Sequence, residues 1–153
     1  MTSLITFRRV VNQPNVYTLK LPDAPQGQQA VQELATLPDG RTVVVLFDGY
    51  TLPADQPAEI TDSIVNPFVP TDAELAQIKN SSVHVQAIYN RIEQMIRDKY
   101  SASDEAKFAR IGVGAALGAY TFAPGEQEEL LAFGDHCEAA RQWGRAERAK
   151  LGL

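Results

Sequence analysis

Two histidines and one cysteine are the side chains in this sequence best suited to bind a metal ion or to act in catalysis. His136 and Cys137 are adjacent, whereas His84 lies far earlier in the chain. Adjacent residues on a helix point about 100° apart, and no Cys-x-x-Cys or His-x-x-x-His spacing accompanies them. We therefore expect a packed thiol beside a surface imidazole, with neither a zinc site nor a Cys–His nucleophile pair.

A glycine-rich segment is the second place where chemistry could occur. It reads Ile111-Gly112-Val113-Gly114-Ala115-Ala116-Leu117-Gly118, which superficially matches a phosphate-binding loop. Leu117 stands where a dinucleotide fingerprint has its third glycine, no predicted strand precedes the segment, and no Lys-Ser or Lys-Thr follows it. Small residues four apart instead predict close helix packing at Gly112, Gly114 and Gly118. We expect no cofactor.

The C-terminal segment combines the single tryptophan, Trp143, with a stripe of basic residues. Arg141, Arg145 and Arg148 lie at helical spacing, interspersed with acidic residues. Cations suit the end of a helix, so a solvated face is one interpretation, and a docking surface for an acidic partner is the other. Trp143 either covers the core or anchors an interface, which makes these four residues the candidate interaction site.

Short strands and turns are predicted for the first half of the chain. Residues rich in β-branched and aromatic side chains are separated by turn formers, with one hairpin around Asn12–Asn15 and another around Pro38-Asp39-Gly40. The segment 28–37 fits a helix or a strand, and the strand is favoured. The continuous apolar run after Gly40 predicts burial on both faces. The predicted strand segments are residues 4–11, 16–21, 28–37, 42–47 and 50–52.

Helices are predicted for the second half. Thr71 and Glu74 form a capping box before a short helix that reaches about Lys79. The three later helices start at Ser82, at Ser101 or Ser103 (ending near Tyr120), and after Pro124. The helix that starts at Ser82 has a predicted inner face of Val85, Ile88, Ile92, Met95 and Ile96. The last helix has a narrow apolar stripe, as in a coiled coil, which consists of Leu130, Phe133, Cys137, Ala140 and Gly144.

Composition separates the two halves. Eight of the nine prolines fall at or before Pro70. We predict an α+β fold in which a small antiparallel β subdomain (residues 1–52) and a proline-rich connector (53–70) precede a three- or four-helix bundle (71–153). The net charge of -5 is spread along the chain, so no nucleic-acid partner is expected. Neither a signal peptide nor a membrane-spanning segment is expected, and the single cysteine is compatible with a reducing cytoplasm.

Three segments carry a resemblance to a known class of proteins. They are the C-terminal segment 137–153, residues 97–108 with the sequence Arg-Asp-Lys-Tyr-Ser-Ala-Ser-Asp-Glu-Ala-Lys-Phe, and Ile111-Gly112-Val113-Gly114. Together they resemble small proteins encoded among the structural and tail genes of tailed bacteriophages, over the last half of the chain. The resemblance implies a virion protein that is made in the host cytoplasm and binds other phage structural proteins or itself.

The sequence thus favours a non-enzymatic interaction module, a tail-associated or accessory component of a phage particle. One alternative is an assembly chaperone that holds tail or fibre protein in the host cytoplasm and is absent from the finished particle. Another is a small enzyme whose residues converge only in three dimensions, near His84 or His136.

Overall fold

The computed structural model describes residues 2–153. It confirms the α+β class, with antiparallel strands in the N-terminal half and helices in the C-terminal half. The strands are β1 (Ser3–Arg8), β2 (Val10–Asn12), β3 (Asn15–Tyr17), β4 (Val31–Thr36) and β5 (Arg41–Leu46). The helices are α1 (Ala58–Thr61), α2 (Asp72–Ser81), α3 (Val83–Arg97), α4 (Ala102–Ala116) and α5 (Glu126–Lys150).

Contacts between residues divide the chain into two compact units. One, here called the sheet unit, contains the residues up to 87 together with 147–153; the other, the helical unit, is 88–146. Helix α2, the first turn of α3 and the last residues of α5 therefore belong with the sheet. The boundary predicted from the sequence, at residue 70, differs from the boundary after residue 87 that the contacts give. Whether the chain on either side of residue 70 folds independently remains a prediction.

The sheet unit is built on three strands in the order β1-β5-β4. Every residue of β5 from Thr42 to Leu46 is buried, which agrees with the predicted burial on both faces. The hairpin of β4 and β5 forms across Pro38-Asp39-Gly40, so the favoured strand interpretation of 28–37 is right. One face carries an apolar cluster, which consists of Ile5, Phe7, Leu19, Ala30, Val31, Val44, Leu46 and Ile60.

Helices cover the other face of the sheet. Side chains alternate along a strand, so Arg41 of β5 and Gln32, opposite Val45, lie on the face away from that cluster. Arg41 bonds to Glu74 of α2, and Gln32 bonds to His84 at the start of α3. Buried Ile78 and Val85 come from the same two helices. This face is therefore packed by α2 and the first turn of α3.

The opening hairpin is shorter than predicted. Only β2 and β3 pair across it, whereas β1 leaves the hairpin and pairs with β5 from Ser3 to Arg8. The predicted strand at 50–52 is absent, and Tyr50 and Leu52 pack against the apolar cluster instead. The reason is that β1 and β4 already occupy both edges of β5, so residues 50–52 have no free edge of β5 with which to pair.

The connector is not simply extended, because it contains α1 and then covers the edge of β1. Thr6 and Val65 exchange both backbone hydrogen bonds, at 3.1 and 2.8 Å, and the amide of Phe68 donates to the carbonyl of Leu4 at 2.7 Å. A covered strand edge does not recruit other strands. The edge of β1 is therefore not available to a strand from a partner protein.

Helix starts follow the predicted capping chemistry in two of three cases. Capping boxes join Thr71 to Glu74 and Ser101 to Asp104, so Ser101 rather than Ser103 caps α4. Helix α3 does begin after Ser82, but the buried hydroxyl of Ser82 has no hydrogen-bond partner within residues 2–153. Helix α4 ends at Ala116, four residues before the predicted end.

The helical unit has a small core centred on α4 and α5. Cys137, Ala140 and Gly144 of α5 are buried, as the stripe predicted, with Leu130 and Phe133 partly covered. On α3, the residues of the predicted inner face that lie in this unit are only partly buried. They are Ile88, Ile92, Met95 and Ile96.

No helix among the described residues has both the length and the apolar character that crossing a membrane requires.

Candidate functional site

The residues first considered for metal binding or catalysis make local contacts within separate parts of the structure. A hydrogen bond of 2.6 Å joins His84 Nδ1 to Gln32, and His136 Nε2 donates to the carbonyl of Met95 at 2.8 Å. Burial raises the pKa of the Cys137 thiol, which disfavours the nucleophilic thiolate. Within residues 2–153, no group of three His, Cys, Asp or Glu side chains is placed to hold a metal ion.

The three glycines of segment 111–118 have different surroundings. A Cβ built on Gly112 would lie 3.8 Å from the Leu130 side chain of α5, an ordinary contact. On Gly114 it would lie 2.9 Å from Cβ of Tyr120, which is too close. Gly118 follows the end of α4 with φ +69°, and a Cβ there would meet no atom within 4 Å. The expected close packing at Gly118 is therefore wrong, and this glycine terminates the helix.

Alanine at each of these glycines is expected to have a different effect on stability. Gly112→Ala should stabilise the protein by up to about 1 kcal/mol through helix propensity. Gly114→Ala should destabilise it, because overpacking against Tyr120 outweighs that gain. Gly118→Ala should cost about 1–2 kcal/mol through the left-handed backbone alone. Urea denaturation followed by Trp143 fluorescence measures all three, and equal effects at the three positions would contradict this assignment.

The candidate residues of α5 lie on different sides of the helix. Arg141 and Arg145 are exposed, and Arg145 pairs with Glu138 of the same helix. Trp143 is partly buried, and two residues along a helix correspond to about 200° of rotation from Arg145. Trp143 instead shares a flank with His136, seven residues earlier, which contacts α3. The helix therefore does not join Trp143 and Arg145 in one surface.

Arg148, the last of the predicted basic stripe, is partly buried rather than solvated. It lies in the part of α5 that belongs to the sheet unit, whereas Arg141 and Arg145 belong to the helical unit. Binding of a partner by any of the three arginines or by Trp143 remains a prediction.

A charged cluster that the sequence did not predict links the β4–β5 turn to α2. Arg41 Nε donates to Asp39 Oδ2 at 2.6 Å, and the same guanidinium bonds to Glu74 and lies 5.4 Å above the Phe68 ring. The amide of Thr71, followed by Arg41, lowers the pKa of Glu74 below its usual value. The amide and guanidinium of Arg41 likewise lower the pKa of Asp39. These contacts hold the β4–β5 hairpin against α2.

The cluster predicts loss of stability in acid. A carboxyl group whose pKa is lowered by folding stabilises the protein fully above its unfolded pKa, about 4 for Asp and Glu, and loses that contribution as the pH falls through the folded value. We expect stability to decline below about pH 5, and Glu74→Gln to reduce stability at pH 7 and flatten the decline. Urea denaturation at a series of pH values from 7 down to about 3 measures this, with exposed Glu128→Gln as control. An equally steep decline in Glu74→Gln would contradict the assignment.

The outer face of the β2–β3 hairpin is an apolar surface in the sheet unit. Val11 and Val16 are opposite each other in register, with exposed fractions of 63% and 57%. The preceding pair, Val10 and Tyr17, packs against the apolar cluster. We call the Val11–Val16 pair the valine pair. An alternating strand would place polar residues at these positions, and the two adjacent valines in Val10-Val11 are the sequence signal that was missed.

A second exposed surface lies on the helical unit. Lys107, Arg110, Ile111 and Tyr120 line a cleft of about 310 Å³ along α4. On α5, Leu131 has an exposed fraction of 60%.

Comparison of the chain with protein-family models, with curated proteins and with solved structures gave no match.

Proposed function

We propose that this protein works by binding other proteins, as a tail-associated or accessory structural component of a tailed phage particle. The valine pair carries the binding part of the proposal. A short two-stranded hairpin has one face on the core of the sheet unit and presents two opposed β-branched side chains on the other. Apolar side chains paired across strands normally lie on a sheet face that packs against other parts of a protein. On the outer face of the β2–β3 hairpin such a pair is exposed, which is typical of an interaction surface.

The energy available from this surface fits an interface contact. Complete burial of a valine contributes about 1.5–3 kcal/mol, and more than half of each valine remains exposed. Covering both therefore contributes on the order of 2 kcal/mol, which corresponds to more than a tenfold change in affinity. A partner with an apolar patch matched to this hairpin would gain that energy.

The phage part of the proposal depends on the resemblance of segments 97–108, 111–114 and 137–153. A protein made in the host cytoplasm and incorporated by contact requires a binding surface and no reaction, which is consistent with an interaction module. The genes adjacent to this one test this part directly. Neighbours that encode no tail or other structural proteins would contradict the phage assignment.

Incorporation into particles tests the binding surface. The double variant Val11→Thr/Val16→Thr keeps the shape and strand propensity of the hairpin and removes its apolar character. We expect its amount per particle, measured by mass spectrometry of purified particles, to fall at least about tenfold. Val69→Thr, at a site 82% exposed elsewhere in the sheet unit, is the matched control.

Two outcomes would contradict the proposal. Incorporation of the double variant at the normal level would reject the valine pair as the attachment surface. Absence of the native protein from finished particles, together with a requirement for it during assembly, would reject the structural role and support the assembly chaperone.

A further inference from the structure

The cleft on α4 has a composition suited to an apolar group flanked by acids. Ile111, which is 5% exposed, and Tyr120 supply its apolar lining, and Lys107 and Arg110 are the two basic residues that line it. Within residues 2–153, the guanidinium of Arg110 has no carboxylate partner, and its Nε donates to the carbonyl of Ala106 at 3.3 Å. Lys107 lies 3.5 Å from Glu129. The cleft thus presents one uncompensated cation beside an apolar wall.

Helix α5 carries a group with the opposite composition. Leu131 projects into solvent. Glu128, three residues before it, and Asp135, four residues after it, are also exposed. These spacings place the three side chains on one face of the helix. Neither acid has an ion-pair or hydrogen-bond partner within residues 2–153. We call these three residues the acidic knob.

The acidic knob does not reach the cleft of its own chain. Leu131 and Glu129 are two residues apart on α5, and about 200° of helical rotation separates them. Glu129 is the residue that reaches Lys107 beside the cleft. Leu131 therefore points to a different side of the helical unit.

We propose that the cleft of one copy of this protein receives the acidic knob of a second copy. Leu131 of the second copy would pack against Ile111 and Tyr120, and one of its flanking carboxylates would pair with Arg110. Charge complementarity selects this occupant, because Arg110 beside the cleft has no carboxylate partner and the two acids of the knob have no cationic partner. This inference rests on the proposed function only in that both assume that the protein acts by binding other protein surfaces.

This contact is heterologous, because it joins two different surfaces of the same protein. Such contacts leave one cleft and one knob free at the ends of a pair, so association continues head to tail into a ring or a filament. One side chain in one cleft is a small interface, and we expect weak association that becomes significant only at high concentration or when a particle aligns many copies.

Charge reversal on each side of the contact tests the proposal. Sedimentation velocity of the full chain, from about 5 to 500 μM at low and at high salt, measures self-association, which should weaken with salt. Arg110→Glu and Glu128→Arg/Asp135→Arg should each weaken it at least about tenfold, because each places like charges on both sides of the contact. Arg91→Glu, an equal charge change on exposed α3, is the control. Circular dichroism checks that each variant is folded.

Mixing the two charge-reversed variants is the decisive measurement. The reversed cleft of one then meets the reversed knob of the other, and the two native surfaces also meet, so the mixture should associate within a few-fold of the native protein. A monomeric native protein at all concentrations, an unaffected Arg110→Glu, or a mixture that stays dissociated would each overturn the proposal.

The failure of this proposal is distinguishable from failure of the proposed function. Val11→Thr/Val16→Thr lies in the sheet unit and should self-associate normally. If it loses incorporation while Arg110→Glu has no effect on self-association, this inference is wrong and the proposed function stands. If it is incorporated normally while Arg110→Glu abolishes self-association, the valine pair is rejected as an attachment surface and this inference stands.

Discussion

Phe108→Ala is expected to lower the free energy of unfolding by about 3–5 kcal/mol. Phe108 of α4 is 5% exposed and stacks on Phe133 of α5 with ring centroids 5.0 Å apart. The Phe108 ring also forms a T-shaped pair with Tyr100, with ring centroids 5.9 Å apart. The helical unit has few fully buried large side chains, so the cavity left by this ring removes a large share of its core.

Phe122→Ala is the matched control for that measurement. Phe122 is an aromatic residue of the same unit, partly exposed, and its ring contact is with Tyr120 at 6.2 Å. We expect less than half the effect of Phe108→Ala. Equal losses for the two variants in urea denaturation would show that the stacked aromatic rings do not form the core of this unit.

Trp143→Ala is expected to cost about 2–3 kcal/mol of stability. Trp143 is partly buried on the flank of α5 that also carries His136, and His136 bonds to Met95 of α3. Helical rotation therefore places the indole on the side of α5 that faces α3. Circular dichroism during heating measures the effect, because the variant lacks the only tryptophan fluorophore.

The two interpretations of Trp143 predict different results for this variant. An interface role predicts an unchanged melting temperature and weaker partner binding or incorporation by about 2 kcal/mol or more. A core role predicts the reverse, which is the result we expect. Arg145→Ala is the control, because its exposed pair with Glu138 contributes about 0–1 kcal/mol.

Local chemistry in the sequence predicted the parts of this fold that depend on neighbouring residues. The turn at Asp39-Gly40 specified the β4–β5 hairpin, and Thr71 with Glu74 specified the start of α2. The 3–4 spacing of apolar residues also gave the inner face of α5. Each of these signals lies within about ten residues of its partner, where propensity and periodicity carry information.

Pairing between distant segments was not predictable in the same way. The departure of β1 to pair with β5, and the pairing of Val65 with Thr6, depend on which strand edges are available once the sheet has formed. No local residue pattern encodes that choice. The prolines of the connector indicated an extended chain, but not the edge that this chain covers.

The candidate surfaces show the same limit. The types of Trp143 and Arg145 suggested one interface, but helical rotation alone places them on different sides. Gly118 was assigned to a packed face because the predicted helix was too long. The charges of Lys107, Arg110, Glu128 and Asp135 are plain in the sequence, but their separation into a cleft and a knob depends on how α4 and α5 pack.

The buried position of Cys137 makes this residue a chemical reporter of opening of the helical unit. It is the only cysteine, it is 8% exposed, and burial raises the pKa of its thiol. A thiol reagent can therefore modify the native protein at one position only, and only while α5 is transiently exposed there. The rate of labelling then follows the population of opened molecules, which allows the stability of this unit to be followed inside a finished assembly.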